Sequence, residues 1–239
     1  MSRESELIAH RKGRFMLKKV VYLAVLGTVV SVAPAFAQEP RVTVDFTVGY
    51  SFADGVSGNA YVIPGVGTFD RIDPKDAFKW GFGIGALLGE NAEVGFLYGQ
   101  AASTLQISGP TQTVDVGDMK INNYHAYFQY NFGDNQTKVR PYIMGGLGAT
   151  SFGSVDYTNR FGLAATTQSS TKFSSTWGAG VRFMVNPHVG ARFGVQWTPT
   201  YIKTDEAGWW CDPYWGCYIV GNAQYANQLD LGGGVTFRF

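Results

Sequence analysis

The chain has 239 residues, with 19 Lys+Arg against 18 Asp+Glu and a net charge of +1. Residues 1–37 read as an export segment; without them 13 basic residues stand against 16 acidic ones, a net charge of −3. That balance argues against a nucleic-acid binder, which would show a basic patch or stripe. The remaining 202 residues include 33 aromatics, which argues against disorder, and their length suits one all-β domain.

The chain opens with its address label. Lys18-Lys19 is followed by the apolar run Val20–Val32, 13 residues long. Such a run is too short to cross a ~30 Å hydrocarbon core as a helix. Ala35-Phe36-Ala37 fits the small-residue cleavage rule, which makes Gln38 the new N-terminus. Met16 offers a second start and a compact Met-Leu-Lys-Lys opening. Arg11-Lys12 is not a twin-arginine pair, so general secretion is expected. The expected domains are therefore a signal peptide, 1–37, and a β domain, 38–239.

After residue 37 a period of two recurs. The first segment alternates Val42, Val44, Phe46, Val48, Tyr50 and Phe52 with Thr43, Asp45, Thr47, Gly49 and Ser51. The second alternates Phe78, Trp80, Phe82, Ile84, Ala86 and Leu88 with Lys79, Gly81, Gly83 and Gly85. Further segments run through Val94–Tyr98, Tyr124–Phe132, Val139–Ala149, Trp177–Val185, Val189–Trp197 and Leu229–Phe239. That makes eight strands. Short turns at Gly89–Asn91, Gly133–Lys138 and Asn186–His188 alternate with long connections at 53–77, 108–118, 153–171 and 204–223. Short turns on one rim and long loops on the other characterise an outer-membrane barrel. Lipid offers no hydrogen-bond partners, so a sheet there must close on itself. The fold expected is all-β: an eight-stranded antiparallel up-and-down transmembrane β-barrel. A hairpin hidden in 53–77 or 204–223 would raise the count to ten.

With this pattern in place, the chain resembles the eight-stranded outer-membrane β-barrel proteins, the class that includes OmpA's membrane domain and OmpX. The terminal run Gly232-Gly233-Gly234-Val235-Thr236-Phe237-Arg238-Phe239 looks like the C-terminal assembly signal of that class. The resemblance assigns this role to Gly234, Phe237 and Phe239; Gly232 stands where a polar residue is common. It implies recognition by the barrel-assembly machinery, lipid and lipopolysaccharide as neighbours, and the cell outer membrane as the location. No peptidoglycan-binding domain of the OmpA kind is expected after Phe239. Lipid A deacylases of similar shape use a His and Ser pair facing the membrane; His125 is followed by Ala126 and Tyr127 and falls on the inner face. No enzyme activity is expected.

Alternation turns Asp45, Lys79, Glu93, His125, Arg140, Arg182, Arg192, Asp230 and Arg238 inward. Buried charges must pair or they cost several kcal/mol each, so a salt-bridged polar plug is the leading expectation. A charged constriction in a small porin or diffusion channel is the alternative. Eight strands leave an interior just wide enough for side chains, which favours the plug. Cys211 and Cys217 are the only cysteines, and an even, close pair in an exported protein reads as a disulfide. The histidines at 10, 125 and 188 lie far from that pair in sequence, so no metal site or cofactor is expected. The segment 209–218 gathers Trp209, Trp210, Tyr214, Trp215 and Tyr218 around the cysteines. Aromatics on a stapled loop often mark a binding surface. The function expected is a monomeric structural or surface-interaction barrel, with an unknown extracellular ligand and no nucleic-acid partner.

Overall fold

The computed structural model describes residues 41–239 except 64–66, 111, 135–136, 159–163, 203–210, 213–215 and 218–224. The export segment and its cleavage site lie outside the described residues. The strands, in chain order, are β1 Val42–Ala53, β2 Val56–Ile63, β3 Gly67–Pro74, β4 Ala77–Leu88, β5 Ala92–Ser108, β6 Thr113–Asn131 and β7 Val139–Phe152. They continue with β8 Asp156–Thr158, β9 Ala164–Thr166, β10 Ser170–Met184, β11 Val189–Tyr201, β12 Cys211–Asp212, β13 Gly216–Cys217 and β14 Tyr225–Arg238.

Eight of these close a ring in the order β1-β4-β5-β6-β7-β10-β11-β14, with every neighbour antiparallel. Closure is sealed where β14 pairs with β1, from Thr43↔Arg238 to Ala53↔Gln228. No free edge remains in the wall, as lipid requires. Phe46, Val48, Tyr50, Phe82, Ile84, Phe128, Ile143, Phe193 and Leu231 are exposed on the outside. Thr43, Asp45, Ser51, Gln129, Arg182 and Thr236 are buried inside. Tyr50, Trp80, Phe132, Trp197 and Phe239, large aromatics on the wall strands or just beyond their ends, all lie on the exposed outer surface.

The short turns form one rim. Gly89 and Gly133 have φ of +78° and +88° there, the left-handed region that a residue with a Cβ enters at a cost. The long connections form the other rim, and here the structure departs from the sequence reading. Residues 53–77 contain the hairpin β2–β3, but it does not enter the wall. It pairs only with the outer end of β5, from Arg71↔Ser108 to Pro74↔Leu105, so the barrel keeps eight strands. The segment 108–118, read as a loop, is mostly strand: β5 and β6 pair out to Ser108↔Thr113. Residues 153–171 hold the small β8–β9 ladder.

The extended β5–β6 pair needs its own core. Ala77, Ala101, Leu105, Met119, Ile121, Phe152 and Val155 form it, with Ile72 and Val116 packed against them. At ~25 cal/mol per Å² of apolar surface removed from water, this cluster stabilises the part of the sheet that stands beyond the lipid-facing band.

Candidate functional site in the barrel lumen

Arg140, Arg182 and Arg192 sit side by side on β7, β10 and β11: the register pairs Arg182 with Arg140 on one side and with Arg192 on the other. Like charges directly opposite destabilise a sheet. The compensation comes from across the lumen, from Asp45 on β1 and Glu93 on β5. Arg182 Nη2 donates to Asp45 Oδ2 at 2.9 Å, and its Nη1 donates to Glu93 Oε2 at 2.6 Å. Arg192 Nη1 donates to the same Asp45 oxygen. Asp45 Oδ1 accepts from Thr236 at 2.5 Å. Glu93 Oε1 accepts from Tyr127 Oη at 2.5 Å and Thr43 Oγ1 at 2.8 Å. Arg182 and Glu93 are 0% exposed, Asp45 1% and Arg192 6%.

Aromatic rings complete this layer. Arg192 Nη2 donates to Tyr142 Oη at 2.9 Å, and its guanidinium lies 4.8 Å from the centre of that ring. Room for Tyr142 comes from glycine: a Cβ at Gly194 would stand 2.5 Å from its hydroxyl, and one at Gly180 2.6 Å. Glycine on the inner face here serves a packing need, not a turn.

The other inward charges stand outside the Asp45–Glu93–Arg182–Arg192 ion pairs. Arg140 caps the short-turn rim, donating to the carbonyls of Glu90 (2.7 Å) and Gly133 (3.2 Å) and to Asn91 Oδ1 (3.2 Å). Arg238 is 4% exposed, and its Nε and Nη2 have no hydrogen-bond partner among the described residues. Asp230 pairs with Lys79 on the long-loop side. Lys79 is in register with Gly49 and Asp230 with Ser51, so this ion pair bridges β1 beside a glycine. The expected network is therefore one four-residue cluster, one rim cap, one separate pair and one guanidinium that meets no carboxylate among the described residues.

Sequence reasoning missed a hydroxyl belt above the arginine layer. His125 Nε2 lies 2.9 Å from Ser174 Oγ. Thr150 Oγ1 donates to Asn123 Oδ1 at 2.8 Å and stands 3.0 Å from Ser174 Oγ, while Thr200 donates to Thr150 at 3.1 Å. His125 does have a serine, but it comes from β10, 49 positions away, and both are buried inside the lumen. Only strand register, not adjacency, would reveal that pairing.

The remaining expected residues lie elsewhere. Phe239 is exposed on the lipid-facing side and Phe237 half-buried; Gly234 is in register with Thr47 and Arg192. Cys211 and Cys217 are direct backbone partners in the β12–β13 ladder. Trp209, Trp210, Tyr214, Trp215 and Tyr218 lie outside the described residues. Among the described residues no group of three or more His, Cys, Asp or Glu could hold a metal ion.

Comparison with known proteins agrees with the fold. The chain is similar to Neisserial surface protein A, at 18% identity and a TM-score of 0.52, covering 83% of this chain and 97% of that one. It is also similar to the outer membrane protein OprG of Pseudomonas aeruginosa, at 12% identity and a TM-score of 0.53, covering 84% and 97%. At these identities the likeness concerns the fold alone. No curated protein matches the chain. Over residues 22–239 the sequence matches the family described as outer membrane protein beta-barrel domain. The chain belongs to that family, a barrel of the cell outer membrane.

Proposed function

We propose that this barrel acts at the cell surface through its long-loop rim, while its interior stays closed. The observation that carries the reading is the Asp45–Glu93–Arg182–Arg192 layer, whose ion pairs connect opposite walls with almost no exposure. An eight-stranded lumen is only as wide as its side chains, so such a layer fills the cross-section. His125 and Ser174 are enclosed in the lumen, away from lipid and solvent substrates, which supports a non-enzymatic role. Gly234, Phe237 and Phe239 act as the assembly signal. Lipid and lipopolysaccharide surround a monomer, and the stapled aromatic loop meets an extracellular ligand. The competing reading is a small diffusion channel.

Conductance separates the two. Residues 38–239, refolded into a planar bilayer with folding verified by a heat-dependent gel shift, should give a silent membrane. Arg182→Gln should leave it silent or produce irregular leak as the layer loosens. Stable, reproducible steps in the unsubstituted protein, altered by neutralising Arg182 or Arg192, would establish the channel instead.

A further inference from the structure

Between the arginine layer and the Lys79–Asp230 pair the lumen holds a cavity of about 80 Å³. One water needs roughly 10–15 Å³ measured this way, so there is room for a guest of several heavy atoms. The wall includes Asp45 and Arg192 on one side and Lys79, Asn123, His125 and Asp230 on the other. Three of these residues keep a polar atom without a hydrogen-bond partner among the described residues: Asn123 Nδ2, His125 Nδ1 and Asp230 Oδ1. They are 2%, 1% and 8% exposed. Buried polar groups are normally satisfied, and each exception asks for an explanation.

The chemistry of the three atoms is fixed by their neighbours. Asn123 presents its amide N–H groups, because Oδ1 already accepts from Thr150. Asp230 presents an acceptor, because Oδ2 holds Lys79. His125 Nδ1 serves either way, since the Ser174 hydroxyl at Nε2 can donate or accept. A hydroxyl donates and accepts through one small neutral oxygen, so a guest carrying several of them can meet all three atoms. A carboxylate guest would face the Asp230 carboxylate, and an ammonium guest would face Lys79 and Arg192. The Lys79 and Asp230 charges cancel within their own pair, which leaves no net charge there to attract an ion.

We propose that the mid-lumen cavity is a binding site for a small neutral polyhydroxylated molecule of about glycerol size, held by Asn123, His125 and Asp230. The site is independent of whether the barrel conducts and of what its loops bind.

The test uses residues 38–239 refolded in detergent micelles with nitrogen-15 in the histidine and asparagine side chains. Glycerol is the neutral probe; acetate and methylammonium are the charged ones. Glycerol should shift the His125 ring and Asn123 amide signals saturably, and the charged probes should not. Asn123→Leu should abolish saturation in a barrel that still passes the gel-shift test. Should that variant fail to fold, Asn123→Asp, which turns the donor into an acceptor, should weaken glycerol binding at least tenfold. Signals that contact water but ignore glycerol, drift without saturating, or answer equally to acetate would each overturn the proposal.

Discussion

Asp45 accepts from two arginines and a threonine at once, and no other carboxylate reaches Arg192 among the described residues. Glu93 is the second carboxylate of Arg182 alone. The two acids are therefore unequal. Asp45→Asn leaves Arg192 without a carboxylate and weakens Arg182 as well, whereas Glu93→Gln leaves Arg182 still bound to Asp45. Removing one partner of a buried ion pair costs about 3–5 kcal/mol, because the remaining charge stays buried. Asp45→Asn should destabilise the barrel by that amount, and Glu93→Gln by less. Urea unfolding from lipid vesicles measures both. Equal losses would mean that the cluster shares its charge evenly and that Asp45 is not its centre. Alternation alone turned these residues inward. It could not say which would meet, because Lys79 and Asp230 lie 151 positions apart and Arg182 and Asp45 137. Pairing depends on register and shear, and no local pattern in the sequence encodes either.

At the scale of single elements, β5 and β6 show where the pattern misleads. Up to Tyr98 and back from Tyr124, most apolar residues of this pair face lipid, while Leu97 and Tyr127 pack inside. Beyond that point the sense reverses: Ala101, Leu105, Met119 and Ile121 turn inward, while Thr104, Gln106, Asp115 and Lys120 meet solvent. A strand in lipid is apolar outside; the same strand in water is apolar inside. A reading keyed to outward apolar residues stops at the boundary and takes the rest for loop. The β2–β3 hairpin leans on this extension through the Lys75–Asp115 ion pair at 2.7 Å. The hydrogen bond from Lys75, and then that from Gln106, holds Asp115 below the usual carboxylate value of 3.8. A lowered folded pKa stabilises the docked hairpin at pH above that usual value and is lost as pH falls through the folded one. Protection of the Arg71–Asp73 amides, relative to their intrinsic exchange at each pH, should therefore fall only in acid below the usual value, and Lys75→Ala should erase that dependence. Protection already lost near neutral pH would show that the ion pair does not hold the hairpin. The β12–β13 ladder carries its own expectation. Directly opposed strand residues have Cα atoms about 4.5–5.5 Å apart, within the range a disulfide spans. Cys211 and Cys217 occupy that relation, so the oxidised protein should be lighter by two hydrogens and refuse thiol reagents until reduced. A thiol titrated without reductant would remove the staple, and with it the fixed aromatic loop.

The whole molecule adds orientation. From Val42 to Phe52 every second side chain of β1 turns away from the lumen. Ten steps at ~3.3 Å give about 33 Å along the strand, or about 25 Å of height at the usual tilt, which matches the apolar band of an outer-membrane barrel. The arginine layer lies toward the short-turn end of that band, since Asp45 is three residues from the start of β1. The hydroxyl belt and the apolar cluster follow toward the long loops. Apart from the Lys79–Asp230 pair, the barrel is thus graded from charged, through polar, to apolar along its axis. Short turns belong on the periplasmic side of such barrels and long loops outside, which puts the charged layer near the periplasm and leaves the surface of the cell to β2–β3 and the β5–β6 tip. An epitope inserted at the Gly109–Gln112 turn should therefore be bound by antibody on intact cells, while the same epitope at Gly89–Asn91 should be reached only after the outer membrane is opened. Labelling of the second site on intact cells would invert the molecule. The charged layer would then face outward, the extended sheet would stand in the periplasm, and the proposed surface role would fall with it.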